Sequence, residues 1–193
     1  MSPSAQKSPR VGLSDLLAIP EVQRRHEVVE ATLIEKGAAS GEHGATQRKL
    51  SAYVDPFDRR LGGKLPGGWW FATEVEVFFD EANVFRPDVL GWKRDRVAER
   101  PRGTPVRIRP DWVAEILSTN RHHDLIRKKR VYHRHQVPHY WVLDPDAATL
   151  TVYRWSDAGY VELLVAERGE TVSPEPFESL PIEVGSLFGD DPA

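Results

Sequence analysis

The sequence predicts a mixed β-sheet flanked by helices, within the α/β or α+β class. Three observations point to it. The run Trp112-Val113-Ala114-Glu115-Ile116-Leu117 is apolar on both alternating faces apart from one carboxylate, as in a strand covered on two sides. Behind it, residues 121–135 carry apolar side chains at helical spacing and stop before Pro138. Segments dense in β-branched and aromatic residues lie on either side of this pair.

Taken in order, residues 1–12 are polar and rich in proline and serine, which predicts a loose leader ahead of one domain over 13–193. Residues 13–21 carry a short helical pattern ending near Pro20, and the valine-rich stretch 26–34 reads as one strand. Gly37-Ala38-Ala39-Ser40-Gly41 is a loop, and 42–53 suits an amphipathic helix through Ala45, Leu50 and Tyr53. Residues 55–68 hold two prolines and four glycines and read as a loop. Residues 69–79 read as a strand with Glu74 and Glu76 on one solvent face, 85–91 as a short strand entered at Pro87-Asp88, and 93–109 as a charged connection.

Ser118-Thr119-Asn120 offers N-caps for the helix over 121–135, with Asp124 in the first turn, where the helix dipole favours an acid. Residues 139–143 read as a strand, Asp144 to Ala148 as a turn, 150–155 as the hairpin partner and 160–167 as a further strand. The tail ends in a weak segment around Leu187-Phe188.

With 193 residues and 40% hydrophobic content, the chain is long enough for one real core and short for two. A net charge of −3 excludes a globally basic binder, yet residues 93–134 hold 13 basic and 5 acidic side chains. That is a local +8 against −11 elsewhere, so a polyanion can be met on one side. The absence of cysteine excludes disulfides and thiolate metal sites and makes a reducing, cytoplasmic location the expectation. No stretch approaches the roughly 18 apolar residues of a membrane span, and no secretory h-region opens the chain, so no membrane partner is expected.

The chemistry starts from Glu115, because a lone charge in an apolar strand costs several kcal/mol, on the order of 3–5, unless something pairs with it. Asp88 of Pro87-Asp88 lies upstream, and the basic segment 124–132 follows. One or two carboxylates on rigid strands plus a substrate phosphate make an adequate magnesium site, with manganese as substitute; Asp88 and Glu115 fit that description. Positions 124, 125, 128, 131 and 132 form one helical stripe, so Leu125, Val131 and Tyr132 carry Lys128 inward with them. Lys128 is therefore the candidate that orients water or stabilises the transition state. Lys129 borders the stripe, and a small shift of register would exchange the two lysines. Arg127, Arg130 and Arg134 fall on the other side, where they meet water or nucleic-acid phosphates.

Weaker candidates carry ordinary readings beside the chemical ones. Glu74 and Glu76 could add a metal ligand but read first as charges on a strand's solvent face; His43 could position a phosphate or relay a proton but reads first as a polar residue opening a helix, and Glu27 similarly. The histidines 122, 123, 133, 135 and 139 follow no HExxH pattern, so zinc is not assigned. Neither Gly62-Gly63 nor Gly67-Gly68 is followed by the Lys-Ser/Thr of a P-loop, and no nucleotide cofactor is expected.

Several stretches together resemble one family. They are Arg86-Pro87-Asp88-Val89-Leu90-Gly91-Trp92, residues 110–118, and 124–132 with Asp124, Lys128 and Tyr132 four apart. Residues 137–145 and 150–154 also fit, while 55–59 and Gly68-Trp69-Trp70 match a subgroup. At these residues the chain resembles the Uma (Uma two) family of restriction endonucleases, within the PD-(D/E)XK superfamily. The resemblance implies a restriction-endonuclease-like core and magnesium-dependent phosphodiester cleavage, with Asp88 as the acid of the Pro-Asp motif and Glu115 as the acid of the next strand. In the simplest superfamily pattern a lysine follows the second acid by two residues, where this chain has Leu117; the family's lysine on the adjacent helix matches Lys128. Glu27 matches the family's early-strand glutamate, and His43 its recurrent loop histidine.

A DNA endonuclease, working as a possible homodimer through its C-terminal hairpin, is thus the leading expectation. The rival is a catalytically silent nucleic-acid-binding or assembly module that keeps the fold.

Overall fold

The structure is a computed structural model and describes residues 10–118 and 122–191. The first nine residues of the expected leader, and the caps Thr119 and Asn120, lie outside the described residues. Val11 is already tied down, its amide donating to the Ala31 carbonyl. Helix α1 (Leu13–Ala18) lays Leu13 and Leu16 on Val28 and Val84.

Residues 26–34, expected as one strand, form a hairpin instead. Strands β1 (His26–Val29) and β2 (Thr32–Glu35) pair antiparallel, with Glu30 and Ala31 at φ 49° and 58° between them. Two successive left-handed residues match the twist of paired strands; the turn escapes a sequence reading because neither residue is the usual Gly or Asn. Contacts from outside hold it, since the Glu30 and Ala31 amides donate to the Asn83 side chain and the Ala82 carbonyl.

Helix α2 (Gly41–Val54) starts at Ser40, whose Oγ accepts from the His43 amide at 3.2 Å. The stretch 69–79 also divides, into β3 (Trp69–Thr73) and β4 (Val77–Asp80), with Glu74 at φ 55° in the break. Likewise β5 (Asn83–Phe85) and β6 (Val89–Lys93) are separated by Arg86-Pro87-Asp88, where proline lacks a ladder donor. At both breaks the chain crosses between two sheets.

The first sheet is antiparallel in the order β2-β1-β5-β4. The second adds β7 (Trp112–Ile116), β8 (His139–Asp144), β9 (Thr149–Ser156) and β10 (Gly159–Glu167), in the order β10-β9-β8-β7-β6-β3. Only β7 and β8 run parallel in it, joined through helix α3 (His122–Arg134), as a parallel pair requires. The chain closes with a small pair, β11 (Thr171–Val172) and β12 (Ile182–Glu183), and helix α4 (Val184–Leu187). This is the mixed sheet flanked by helices that the sequence predicts.

Alternation along β7 settles what each face carries. Trp112, Ala114 and Ile116 join Leu50 and Val54 of α2, with Phe177 stacked edge-on against Trp112 at 5.2 Å. Val113 belongs to the opposite cluster with Val131 and Tyr132 of α3, so Glu115, two residues on, shares the α3 face. The charged connection 93–109 wraps Trp70: Arg94 lies 3.3 Å from the ring centroid, and Arg94 and Arg100 both bond Asp58. Arg96 bonds Asp111, so a good part of the local positive excess is neutralised at home. Among the described residues, no helix is long and apolar enough to cross a membrane.

Candidate metal and phosphate site

Strand register brings the acids together. The ladders end with Thr73 opposite Val89 and Val89 opposite Ala114. One step further, at the fraying edge where the sheet gives way to the crossovers, Glu74, Asp88 and Glu115 follow one another across three chain segments.

Asp88 is completely buried. Its Oδ2 accepts from the Ile116 amide at 2.7 Å, continuing the β6–β7 pairing with a side chain in place of a carbonyl. Its Oδ1 lies 2.8 Å from Lys36 Nζ and 3.4 Å from His43 Nε2. Burial opposes ionisation here, but the His43 hydrogen bond and the Lys36 charge outweigh it and hold the carboxyl far below the usual range. His43 and Gln47, one turn apart on α2, present the same face, and Gln47 Nε2 donates to the Asp88 carbonyl at 2.8 Å.

Lys36, at the end of β2, was not among the sequence candidates. Its ammonium lies 2.6 and 2.7 Å from the two Glu74 oxygens, 2.8 Å from the Arg86 carbonyl and 2.8 Å from Asp88 Oδ1. Burial pushes the Glu74 carboxyl up; Lys36 opposes this and the Asp88 charge adds to it. Glu74 is thus no strand-face charge, because the chain turns out of β3 at that residue. Glu76 also turns inward, to a salt bridge with Arg24 at 3.1 Å.

Behind this lies a second, fully buried layer. Lys128 Nζ is 2.8 Å from Glu27 Oε1 and 3.2 Å from Glu115 Oε1, and the Tyr132 hydroxyl donates to that same Glu115 oxygen at 2.6 Å. Glu27 Oε1 also accepts from the Arg86 amide at 2.6 Å. Burial raises the Glu115 carboxyl, with Lys128 opposing and the Asp88 and Glu27 charges adding. Burial works the same way on Glu27, yet Lys128 and Lys36 prevail and its carboxyl is lowered. Burial, then the Glu115 charge, pushes the Tyr132 hydroxyl well up, which keeps it a donor.

The structure therefore gathers Asp88, Glu115, Lys128, Glu27 and His43 around one edge of the sheet. Val131 and Tyr132 are buried beside Lys128, whereas the side chains of Asp124 and Leu125 lie outside the described residues. Lys129 remains on the border, its amine 3.4 Å from the Tyr153 ring centroid. Arg130 and Arg134 are exposed. Arg127 departs from the expected outward role: it bonds Glu30 at 3.0 Å and the Val29 carbonyl at 3.1 Å, docking α3 on β1.

A cleft of about 330 Å³ opens beside Asp88, lined among others by Arg25, Lys36, His43, Gln47, Glu74 and Arg86. Among the described residues, His43, Glu74 and Asp88 can each turn one ligand atom to within 4.8 Å of the others, close enough to share an ion. Glu115, expected as Asp88's partner on the metal, lies outside this trio, with Oε1 already taken by Lys128 and Tyr132. A divalent cation fits the donor set, since a positive charge already stands among these oxygens as the Lys36 ammonium.

The model of a family described as "Uma2: Putative restriction endonuclease" matches residues 13–185. The chain belongs to this family. No curated protein matches it. Among solved structures, the chain is similar to one from Anabaena variabilis ATCC 29413 described as a putative nuclease belonging to DUF820. The two share a TM-score of 0.76 at 22% identity, over 92% of this chain and 97% of the other, which establishes the fold. Membership of the Uma2 family supports a nuclease, a hydrolase acting on nucleic acid, and such families generally use a divalent metal.

Lys36 and Gln47 are the residues of this candidate site that a sequence reading misses, whereas Glu74 is legible only as a lesser candidate on a solvent face. The one signal for Lys36 is a lysine set directly before the glycine-opened loop 37–41.

Proposed function

We propose that the chain hydrolyses phosphodiester bonds in DNA with magnesium, or manganese in its place, held by Asp88 together with Glu74, His43 and the adjoining Glu115. The observation that carries this reading is the succession of Glu74, Asp88 and Glu115 over three adjacent segments, the first two of them around an ammonium that stands where a cation belongs. When bound, such an ion supplies charge neutralisation at the phosphate oxygens and lowers the pKa of a bound water.

The protein's own groups do the rest. Lys128, fixed between Glu27 and Glu115, offers a proton or a fixed positive charge at Nζ where negative charge develops. Arg25 and Arg86 line the cleft and present cations to a backbone phosphate, while the exposed Arg130 and Arg134 extend the contact along the duplex. Exposed Val161 and Val165 on edge strand β10 support a homodimer able to address both strands.

Purified protein should nick supercoiled plasmid with magnesium or manganese and lose this with EDTA. Glu115→Gln should lower the rate by more than about a hundredfold while the circular dichroism spectrum is kept. Equal cleavage by both preparations would place the activity elsewhere.

One observation favours the silent binding module: Lys36 and Lys128 each pair with two of the four acids and so offset part of their charge. Salt-dependent DNA binding that persists in EDTA, with no manganese uptake by calorimetry, would select that reading.

A further inference from the structure

We propose that Lys36 is a displaceable occupant of the cation position, a tethered ammonium that a divalent ion must push into the adjoining cleft before it can bind. The inference rests on the metal-binding part of the reading above and adds Lys36, which lies outside the stretches that carry the family resemblance.

An ammonium has three protons, yet four oxygens stand within 2.8 Å of Lys36 Nζ. Such a shell is arranged around a point charge rather than along three bond directions. Two of these oxygens belong to Glu74, one to Asp88 and one to the Arg86 carbonyl, all hard donors of the kind that magnesium prefers. Magnesium draws its oxygens to about 2.1 Å, so it cannot share that space with an ammonium. Ion and lysine therefore compete for the same carboxylates.

Lys128 is sealed between two acids, with no room to leave them. Lys36 instead borders an open volume: it lines the cleft of about 330 Å³ together with Gly37, Ala38 and Ala39, whose small side chains leave room beside it. Its flexible four-carbon stem can swing there while its backbone stays paired, the Lys36 amide donating to the Arg25 carbonyl. Arg25 and Arg86 line the same cleft, so a released ammonium would join two guanidiniums around an incoming phosphate. In the metal-free protein Lys36 thus offsets part of the charge of Glu74 and Asp88, and an entering ion adds Lys36 to the substrate-binding cations.

The test is calorimetric titration of manganese into metal-free wild type, Lys36→Met and Arg25→Gln, the last removing a cleft cation that has no ion pair with the cluster. Lys36→Met should bind manganese about tenfold or more tighter than wild type. Arg25→Gln, which removes a solvent-screened charge, should differ by less than about threefold. Lys36→Gln replaces the Met variant if that one fails to fold. A readout that needs no variant is the side-chain nitrogen resonance of Lys36: magnesium should convert it from hydrogen-bonded and slowly exchanging to freely exchanging.

Equal affinity in wild type and Lys36→Met, equal gains in Lys36→Met and Arg25→Gln, or a Lys36 resonance indifferent to magnesium would each overturn the inference. Absence of manganese binding in every protein would overturn it together with the metal site. Tighter binding by Lys36→Met without DNA cleavage by wild type would sustain the inference and remove the nuclease.

Discussion

The Tyr132 hydroxyl donates a 2.6 Å hydrogen bond to Glu115 Oε1, one turn along α3 from the lysine that reaches the same oxygen. Helical spacing of four residues thus delivers two donors to one buried carboxylate. Tyr132→Phe removes the second donor and leaves the ring packing. It should cost about 1.5–3 kcal/mol in urea unfolding, the range for a hydrogen bond to a charged group. A loss below about 0.5 kcal/mol would mean that the carboxylate finds another partner.

Lys128 bridges Glu27 of one sheet and Glu115 of the other. Lys128→Met should destabilise by about 3–5 kcal/mol, because two buried acids lose a shared cation. Adding Glu27→Gln to it should recover part of that loss. A double-mutant cycle in urea should give a coupling of about 1 kcal/mol or more; strict additivity would show that the two groups do not interact energetically.

At His139 the effect of pH has a definite sign. Burial, reinforced by the charges of Lys93 and Arg154, brings its pKa from 6.5 down to about 4. The folded state therefore binds the proton less readily than the unfolded chain, so stability is fully present above pH 6.5 and declines as pH falls toward 4. The stability difference between wild type and His139→Gln should shrink over that window by up to about 3 kcal/mol. Urea midpoints for both proteins at pH 7.5, 5.5 and 4 measure it, and parallel curves would contradict the assignment.

Gly91 lies mid-strand in β6 because nothing larger fits. A Cβ there would stand 2.8 Å from the Phe71 ring and 3.2 Å from Trp69. Gly91→Ala should cost about 1–3 kcal/mol through overpacking, seen as a lowered melting temperature. An unchanged melting temperature would show that both rings can yield.

How much of this was legible beforehand depends on the kind of signal each residue carries. Glu115 stood out because a charge interrupts an apolar strand, and Lys128 because two apolar neighbours on α3 fix which way its side chain points. Both are periodicity arguments, which survive without tertiary knowledge. Lys36 was not legible, and Glu74 only as a lesser candidate on a solvent face, for the opposite reason. Their convergence depends on Glu74, Glu30 and Ala31 adopting left-handed backbone angles, and none of these residue types announces such a conformation. The same hidden turns explain why two expected strands each proved to be two. Tyr132 was legible as a core residue, but its role as a donor appears only once α3 is laid over β7.

The crossovers at Glu74 and Arg86-Pro87-Asp88 make the charged cluster a stitch between two sheets as well as the candidate site. Glu27 and Lys36 enter from one side of the seam, Asp88 and Glu115 from the other, and Lys128 and Tyr132 close it from above. Loss of a single member therefore weakens the seam as well as altering the charge of the site. Exchanging these charges as a block for packed apolar side chains would disturb the seam less than removing them one at a time.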